Sequence, residues 1–253
     1  MNYRAHVVAV AAALSIGSAV LLAEDKPDAP AGGPAKEKVE YLAPERSAAT
    51  KGAETGELVA LPLQLPRATV IGTPKEPPPN TTVDLKTLGK RRGPFLVPKG
   101  VSVISKGKKA TVSDEAPIMG DANLVTDGSK EAGGGEVCEM SPGLQYGQVD
   151  LAKSAEIVAI VVWHNHFDSV VYRDVVVQVS DDATFKTGVT TLFNNDQDNS
   201  AGLGAGSDRE YFESAEGKLV DGRGIKARYV RCYTKGNTSD AQNHLIEIEV
   251  WGK

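Results

Sequence analysis

Short apolar runs with a period of two dominate the second half of the chain. Val175, Val177 and Val179 alternate with Asp174, Val176, Gln178 and Ser180; Val230 and Cys232 alternate with Tyr229, Arg231 and Tyr233; Ile246, Ile248 and Val250 alternate with Glu247, Glu249 and Trp251. This period places successive side chains on opposite faces of an extended strand. Val101–Ile104, Ala110–Val112, Gln148–Leu151 and Val189–Phe193 are shorter β-rich runs. Ile157 to Trp163 is apolar without a break, the signature of a strand buried on both faces. Gly, Asn and Asp separate the runs, and no stretch reads as an amphipathic helix. The pattern predicts an all-β unit over residues 101–253, an antiparallel β-sandwich whose first and last strands lie near one another.

The first hundred residues follow a different pattern. Twelve of the 14 prolines fall between Pro27 and Pro98, while 11 of the 14 aromatic residues lie after residue 100. A segment rich in Pro, Ala, Lys and Glu buries too little apolar area to offset its chain entropy. Residues 24–100 are therefore expected to form a long, largely disordered Pro-rich tether. Pro77-Pro78-Pro79 favours extended polyproline-like chain, and Leu61, Leu63, Leu65, Val70 and Ile71 offer an apolar docking segment. That segment can serve a protein partner or the domain's own surface. Residues 1–23, with Arg4 ahead of an apolar run from Val7 to Leu22, read as a signal peptide for export. The expected location is secreted or periplasmic, or the cell surface, with no membrane span after signal removal. Retention of the apolar run as an anchor is the competing reading.

Charge narrows the partners. The chain carries a net charge of -5. Residues 61–100 hold seven basic and two acidic side chains, a balance of +5, whereas residues 101–253 hold 15 basic and 23 acidic, a balance of -8. The acidic unit disfavours nucleic acid and anionic lipid as partners, and it could attract the basic half of the tether.

Six segments in order give the unit a family likeness. They are Gly100–Ser113, Leu124–Gly128, Gln145–Leu151, Val175–Asp182, Ala227–Arg231 and Ile246–Gly252. Together they resemble the F5/8 type C, or discoidin-like, domain, a galactose-binding-like jelly roll that includes many carbohydrate-binding modules. The usual Thr-x-Trp after the Asp-Gly pair is replaced by Glu131 to Gly135. The resemblance implies ligand loops at one end of the sandwich and a structural Ca²⁺ near the Asp-Gly turn. Asp127 and Glu247 would supply its carboxylates, and neighbouring carbonyls the remaining oxygens. The plainer alternative has Asp127 capping its own turn and Glu247 facing solvent.

The loops carry the candidate chemistry. His164, Asn165, His166, Tyr172, Arg173, Asn194, Asn195, Asp196, Asn243 and His244 combine imidazole, amide, guanidinium and carboxylate groups. That mixture satisfies sugar hydroxyls, while rings such as Tyr172 and Phe167 can pack on a sugar's C–H face. His164, His166 and His244 could instead gather around a transition metal. Asp196, Asp198 and Ser200 imitate the start of an EF-hand loop, but Gly202 falls one place late and Ser207 stands where the closing Glu belongs. Cys138 and Cys232 are an even pair in an exported chain, open to a disulfide or to use as small buried hydrophobes. No G-x-S-x-G, H-E-x-x-H or G-x-G-x-x-G motif is present, so nothing proposes a catalytic group. The expectation is a non-enzymatic module that binds glycan or polysaccharide through its end loops. The alternative is a protein-interaction or scaffolding subunit docked through the tether.

Overall fold

A computed structural model describes residues 40–50, 57–69, 74, 76–133 and 135–253. The expected signal peptide and the first part of the tether lie outside these residues. Five short strands come first: β1 (Glu40–Tyr41), β2 (Glu45–Arg46), β3 (Leu58–Ala60), β4 (Lys90–Arg91) and β5 (Phe95–Pro98). Eight strands follow: β6 (Ser102–Val103), β7 (Lys109–Val112), β8 (Cys138–Met140), β9 (Gln145–His164), β10 (Val176–Ser180), β11 (Thr190–Asn194), β12 (Lys218–Thr234) and β13 (Asn243–Gly252). Three short 3-10 turns are the helical elements among the described residues, and no helix there is long and apolar enough to cross a membrane.

The last eight strands are hydrogen-bonded as one set because two of them run through both layers of the sandwich. Residues 145–150 of β9 pair with β7 on one side and with residues 229–234 of β12 on the other. Residues 157–164 of β9 pair with residues 218–225 of β12 and with β13. The first layer is thus β7, early β9, late β12, β10 and β11. The second is early β12, late β9 and β13, with β6 and β8 beside β13. The bends lie at Ala152 (φ 70°) in β9 and at Gly222-Arg223-Gly224 in β12, where the register shifts. Trp251 pairs with Val103 and Gly252 with Ser102, so the first and last strands of the sandwich meet as expected. The six family-like segments fall on β6 and β7, the turn after Leu124, early β9, β10, β12 and β13.

Two cores result. Ile157, Ile160, Val162, Val177, Val230 and Ile248 belong to the cluster between the layers. Val158, Val161, Trp163, Ile246 and Trp251 belong to a second cluster on the other side of late β9 and β13. Leu61, Phe95 and Val97 from the preceding segment join this cluster, together with Val101 and Val137. The unbroken apolar run at Ile157 to Trp163 is therefore buried on both faces, as its composition requires.

Of the two docking targets open to the tether, its described part takes the domain's own surface. The described residues before 100 belong to the same compact unit as the sandwich. β5 pairs with β2 and β3, and Val97 is wholly buried. Polar ties add to the packing. The Ser47 hydroxyl and the Ala48 N–H donate to Asp221 at 2.7 and 2.8 Å. Arg92 donates through its backbone N–H to Glu216 at 2.9 Å and through its guanidinium to the Gly217 and Glu216 carbonyls. Composition signals too few apolar residues for an independent core. It does not signal that three or four of them suffice to complete a core whose other side is already built. Of the expected docking residues, Leu61 is buried, Leu63 packs on the second core and Leu65 is exposed; Val70 and Ile71 lie outside the described residues.

Cys138 and Cys232 are free and buried, and both belong to the inter-layer core. The disulfide reading is overturned in favour of two small hydrophobes. Burial pushes the Cys138 thiol up to about 11 and the Cys232 thiol well above its ordinary value, so neither forms a reactive thiolate near neutrality.

If Phe95 roofs the second core, Phe95→Ala should lower stability by about 3–5 kcal/mol, the usual cost of emptying a buried aromatic site. Urea unfolding followed by tryptophan fluorescence reads this directly through Trp163 and Trp251. A loss below about 1 kcal/mol would show that the segment is not part of the fold.

Candidate functional site

Loops from both layers meet at the end of the sandwich where late β9 stops. Tyr172 bridges Asn237, and Val171 bridges Phe212, giving a narrow three-stranded ribbon. The Arg173 N–H donates to the Gly236 carbonyl and the Lys235 N–H to the Arg173 carbonyl, both at 3.0 Å. A shallow depression of ≈ 510 Å³ opens beside the ribbon, lined by Gly143 and the run Lys235 to Ala241. Ser239, Asp240 and Ala241 are exposed there, with Lys235 and Thr238 half-buried. The Lys235 ammonium donates to the Ser200 carbonyl at 2.9 Å and stands 3.9 Å from the Asp174 carboxylate. Asn237 organises the loop: its amide donates to Asp240 at 2.7 Å, and its carbonyl oxygen accepts from the Ser239 and Asp240 N–H groups.

Most of the residues expected to touch ligand instead hold these loops in place. His164, His166, Tyr172, Asn194, Asn195, Asp196, Asn243 and His244 are all buried, leaving Asn165 and Arg173 partly exposed. Asn243 accepts from the Gly236 N–H at 2.7 Å and donates to the Ser141 and Gly143 carbonyls. Asn195 accepts from the Val175 N–H at 2.6 Å, and Asn194 donates to the Gly204 carbonyl at 2.8 Å. Asp196 accepts from the Ser200 and Ala201 N–H groups, so the EF-hand-like loop closes on its own backbone. The physical reason is general. Loops folded over a sandwich end bury backbone polar groups that lack a ladder partner, and Asn and Asp supply one.

The imidazoles form a stack rather than a metal site. His164 shares a hydrogen bond with Glu213 at 2.9 Å and stacks on Tyr172 with ring centroids 4.3 Å apart. Tyr172 in turn bonds His244 Nδ1 at 3.0 Å. Burial raises the Tyr172 phenol well above its ordinary value and holds His244 below its own, so the phenol donates to a neutral imidazole. His166 points elsewhere and donates to the Lys130 carbonyl at 2.9 Å. Among the described residues, Asp174, Asp196 and Asp198 form the group of three acid or imidazole side chains close enough to share an ion. Asp174 is already bonded by Ser200 and faced by Lys235.

The Asp-Gly turn has a different character. Asp127 accepts from the Ser129 N–H at 2.6 Å, and Glu247 accepts from the Gly128 N–H at 3.1 Å. Glu247 is wholly buried, not solvent-facing, and its Oε1 has no partner. Burial, with Glu249 and Asp127 adding repulsion, pushes the Glu247 carboxyl up to about 8. A buried, unpartnered carboxylate oxygen next to a second carboxylate fits a hard cation such as Ca²⁺.

Two features escaped sequence reasoning. Glu249 is buried and paired with Lys130 at 2.7 Å, and it also accepts from the Trp251 indole N–H at 3.1 Å. Period-two alternation puts Glu249 on the strand face away from the inter-layer core, and it is buried there against Lys130 and Trp251. The other is Lys235, whose position in the sequence carries no motif. A smaller hollow of ≈ 330 Å³ lies under the β10–β11 hairpin near Asp182 and Lys226. Its carboxylate is spent on its own turn: Asp182 accepts from the Thr184, Lys186 and Thr187 N–H groups, which hold it far below the usual carboxylate range.

No protein-family model matches the chain, and no curated protein does. Solved structures similar to it include a chitosan-binding module of a chitosanase/glucanase from Paenibacillus sp. IK-5, at 20% identity over 60% of this chain and 99% of that one, with a TM-score of 0.41. A fucose-binding module from Streptococcus pneumoniae is 17% identical over 60% of this chain and 98% of that one, with a TM-score of 0.42. A CBM32 module of Clostridium perfringens, solved with GlcNAc-α-1,4-galactose, is 11% identical over 62% and 97%, with a TM-score of 0.44. At these scores the fold stands on the strand pairing described above.

The Glu247 carboxyl gives a pH signature. With the folded value near 8 and the unfolded value near 4.5, the folded state holds the extra proton between them, so stability falls as pH rises across that window and levels off above it. In metal-free buffer, Glu247→Gln should therefore gain stability over the parent by a few kcal/mol at pH 8 and lose that advantage at pH 4.5. Thermal melts across this range decide it; parallel curves for the two proteins would refute the buried-acid assignment.

Proposed function

We propose that this protein is an exported, non-catalytic binding module that holds carbohydrate at the loop end of its sandwich. The observation that carries the reading is the depression lined by Lys235 to Ala241. It presents an ammonium, two hydroxyls and a carboxylate on a loop fixed by Asn237 and Asn243. Directional donors and acceptors on a rigid frame are what sugar hydroxyls require. Phe167, 54% exposed in the loop after β9, is a ring available for packing on a pyranose face. The net charge of -8 over residues 101–253 favours a neutral or cationic polysaccharide over a polyanion. Ca²⁺ would be structural, held by Asp127, Glu247 and nearby carbonyls, and it would supply the countercharge that Glu247 lacks. The scaffolding alternative has less support, because Leu61 and Leu63 of the expected docking segment pack within the chain's own second core.

The reading is tested with the full chain on an oligosaccharide array that includes chitosan, mannuronate, fucosylated and galactosylated probes. Lys235→Ala should weaken retention of the bound class about tenfold, the usual size for a lost charge-assisted hydrogen bond, with unchanged far-UV circular dichroism. Binding to no glycan, or full binding by the variant, refutes it.

Added calcium should raise the melting temperature of the parent at pH 8 and leave Glu247→Gln unmoved. Equal responses in the two proteins would remove calcium from the site.

A further inference from the structure

The ribbon at the loop end has a fourth member that comes from the far side of the sequence. Beyond Phe212 the ribbon continues to Glu210, and Glu210 is bound by the proline-rich segment. The Thr82 N–H donates to Glu210 Oε2 at 2.7 Å, and the Glu210 N–H donates back to the Thr82 hydroxyl at 3.1 Å. This reciprocal pair joins residues 128 positions apart and is partly buried. Val83, next in the chain, is 6% exposed, so the segment is seated and does not merely pass by. The other carboxylate oxygen of Glu210, Oε1, lies 3.7 Å from Arg173, whose guanidinium also donates to the Asn80 carbonyl at 3.4 Å. Glu210 itself is 8% exposed, while the Arg173 side chain is 38% exposed. A buried anion thus faces one terminal nitrogen of a partly exposed guanidinium, and the segment Asn80–Thr82 bonds both groups.

Arg173 is tied by its backbone to Gly236 and Lys235, which line the depression, while its guanidinium and the segment Asn80–Thr82 stand outside that lining, on the far side of Arg173's own strand. The order across the loop end is therefore the Lys235–Ala241 loop, then Arg173, then Glu210, then Asn80–Thr82. From this we infer that the segment Asn80–Thr82 is one wall of the carbohydrate site, and that Glu210 is a positioning residue that fixes the Arg173 guanidinium toward ligand. The inference rests on the carbohydrate reading and deepens it by naming the second side of the site. Arg173 suits this role because its planar fork offers several N–H donors to vicinal hydroxyls, and a fixed guanidinium loses less freedom on binding than a free one. Nothing in the 101–253 sandwich alone supplies the Thr82 and Asn80 contacts, so the binding site is incomplete without the segment ahead of it.

The test uses the full chain and the same chitosan, mannuronate, fucosylated and galactosylated oligosaccharides, with affinities from isothermal titration. Arg173→Ala should weaken binding about tenfold, and Glu210→Gln should weaken it by a similar factor while Lys235→Ala acts independently. The double variant Arg173→Ala, Glu210→Gln should bind no more weakly than Arg173→Ala alone, because Glu210 acts only through the arginine. Glu210→Asp, which keeps the charge, should restore more than half of the lost binding energy. Thr82→Val serves as a milder probe that removes the hydroxyl acceptor without removing the charge, and it should lower affinity by about threefold, the effect of one neutral hydrogen bond. If Lys235→Ala weakens binding but Glu210→Gln does not, or if the double variant is additive, the wall is refuted and the carbohydrate reading stands. A parent protein that binds none of these glycans overturns both.

Discussion

Val158, Val161, Trp163, Ile246 and Trp251 form an apolar outer face on the second layer, and water cannot be left against it. A strand such as late β9 is stable only with cover on both sides, and on the second side the sandwich contributes Val101 and Val137. Phe95, Val97 and Leu61 complete that cover. Each fully buried side chain of this kind contributes roughly 1.5–3 kcal/mol of transfer free energy, a large share of the margin by which any domain is stable. The proline-rich segment is held by that requirement. Its polar ties to Asp221, Glu216 and Glu210 follow from the path it must take across the face.

The same strand β13 carries two buried carboxylates. Glu247 and Glu249 alternate with Ile248 and Val250 of the inter-layer core, and both are buried. Glu249 meets the cost of desolvation with Lys130 and the Trp251 indole. Glu247 has one backbone donor and an unpartnered oxygen, so its proton stays on to an unusually high pH. Burial of a carboxylate without a full set of partners is costly, and a cation at the Asp127–Gly128 turn would remove that cost.

At the loop end the division of labour is between buried and exposed polar groups. Buried Asn194, Asn195, Asn243 and Asp196 satisfy backbone donors and acceptors, and the His164–Tyr172–His244 stack fills the space between the loops. Their work leaves Lys235, Ser239, Asp240 and Arg173 facing outward on a frame that does not need to reorganise. Rigid presentation of a few polar groups is what the proposed site would need to turn many weak contacts into useful affinity.

The all-β class, the strand runs from Val101 to Trp251, the meeting of the first and last strands and the double burial of Ile157 to Trp163 were all legible in the residue pattern. Period and composition are local properties, and a strand's two faces are written in them. What covers the second face was not legible, because Phe95 and Val97 look like stray apolar residues in a charged, proline-rich stretch until Trp163 and Ile246 are seen beneath them. The candidate site divided in the same way. Its loops could be picked out by their Asn, Asp and His content, yet that content marked the residues that hold the loops and not those that face solvent. Lys235, Ser239 and Glu210 carry no motif, and Cys138 and Cys232 lie free in the core although their even number invited a bridge. Which polar group turns inward depends on which backbone groups lack partners, and that is known only once chain segments more than a hundred residues apart have met.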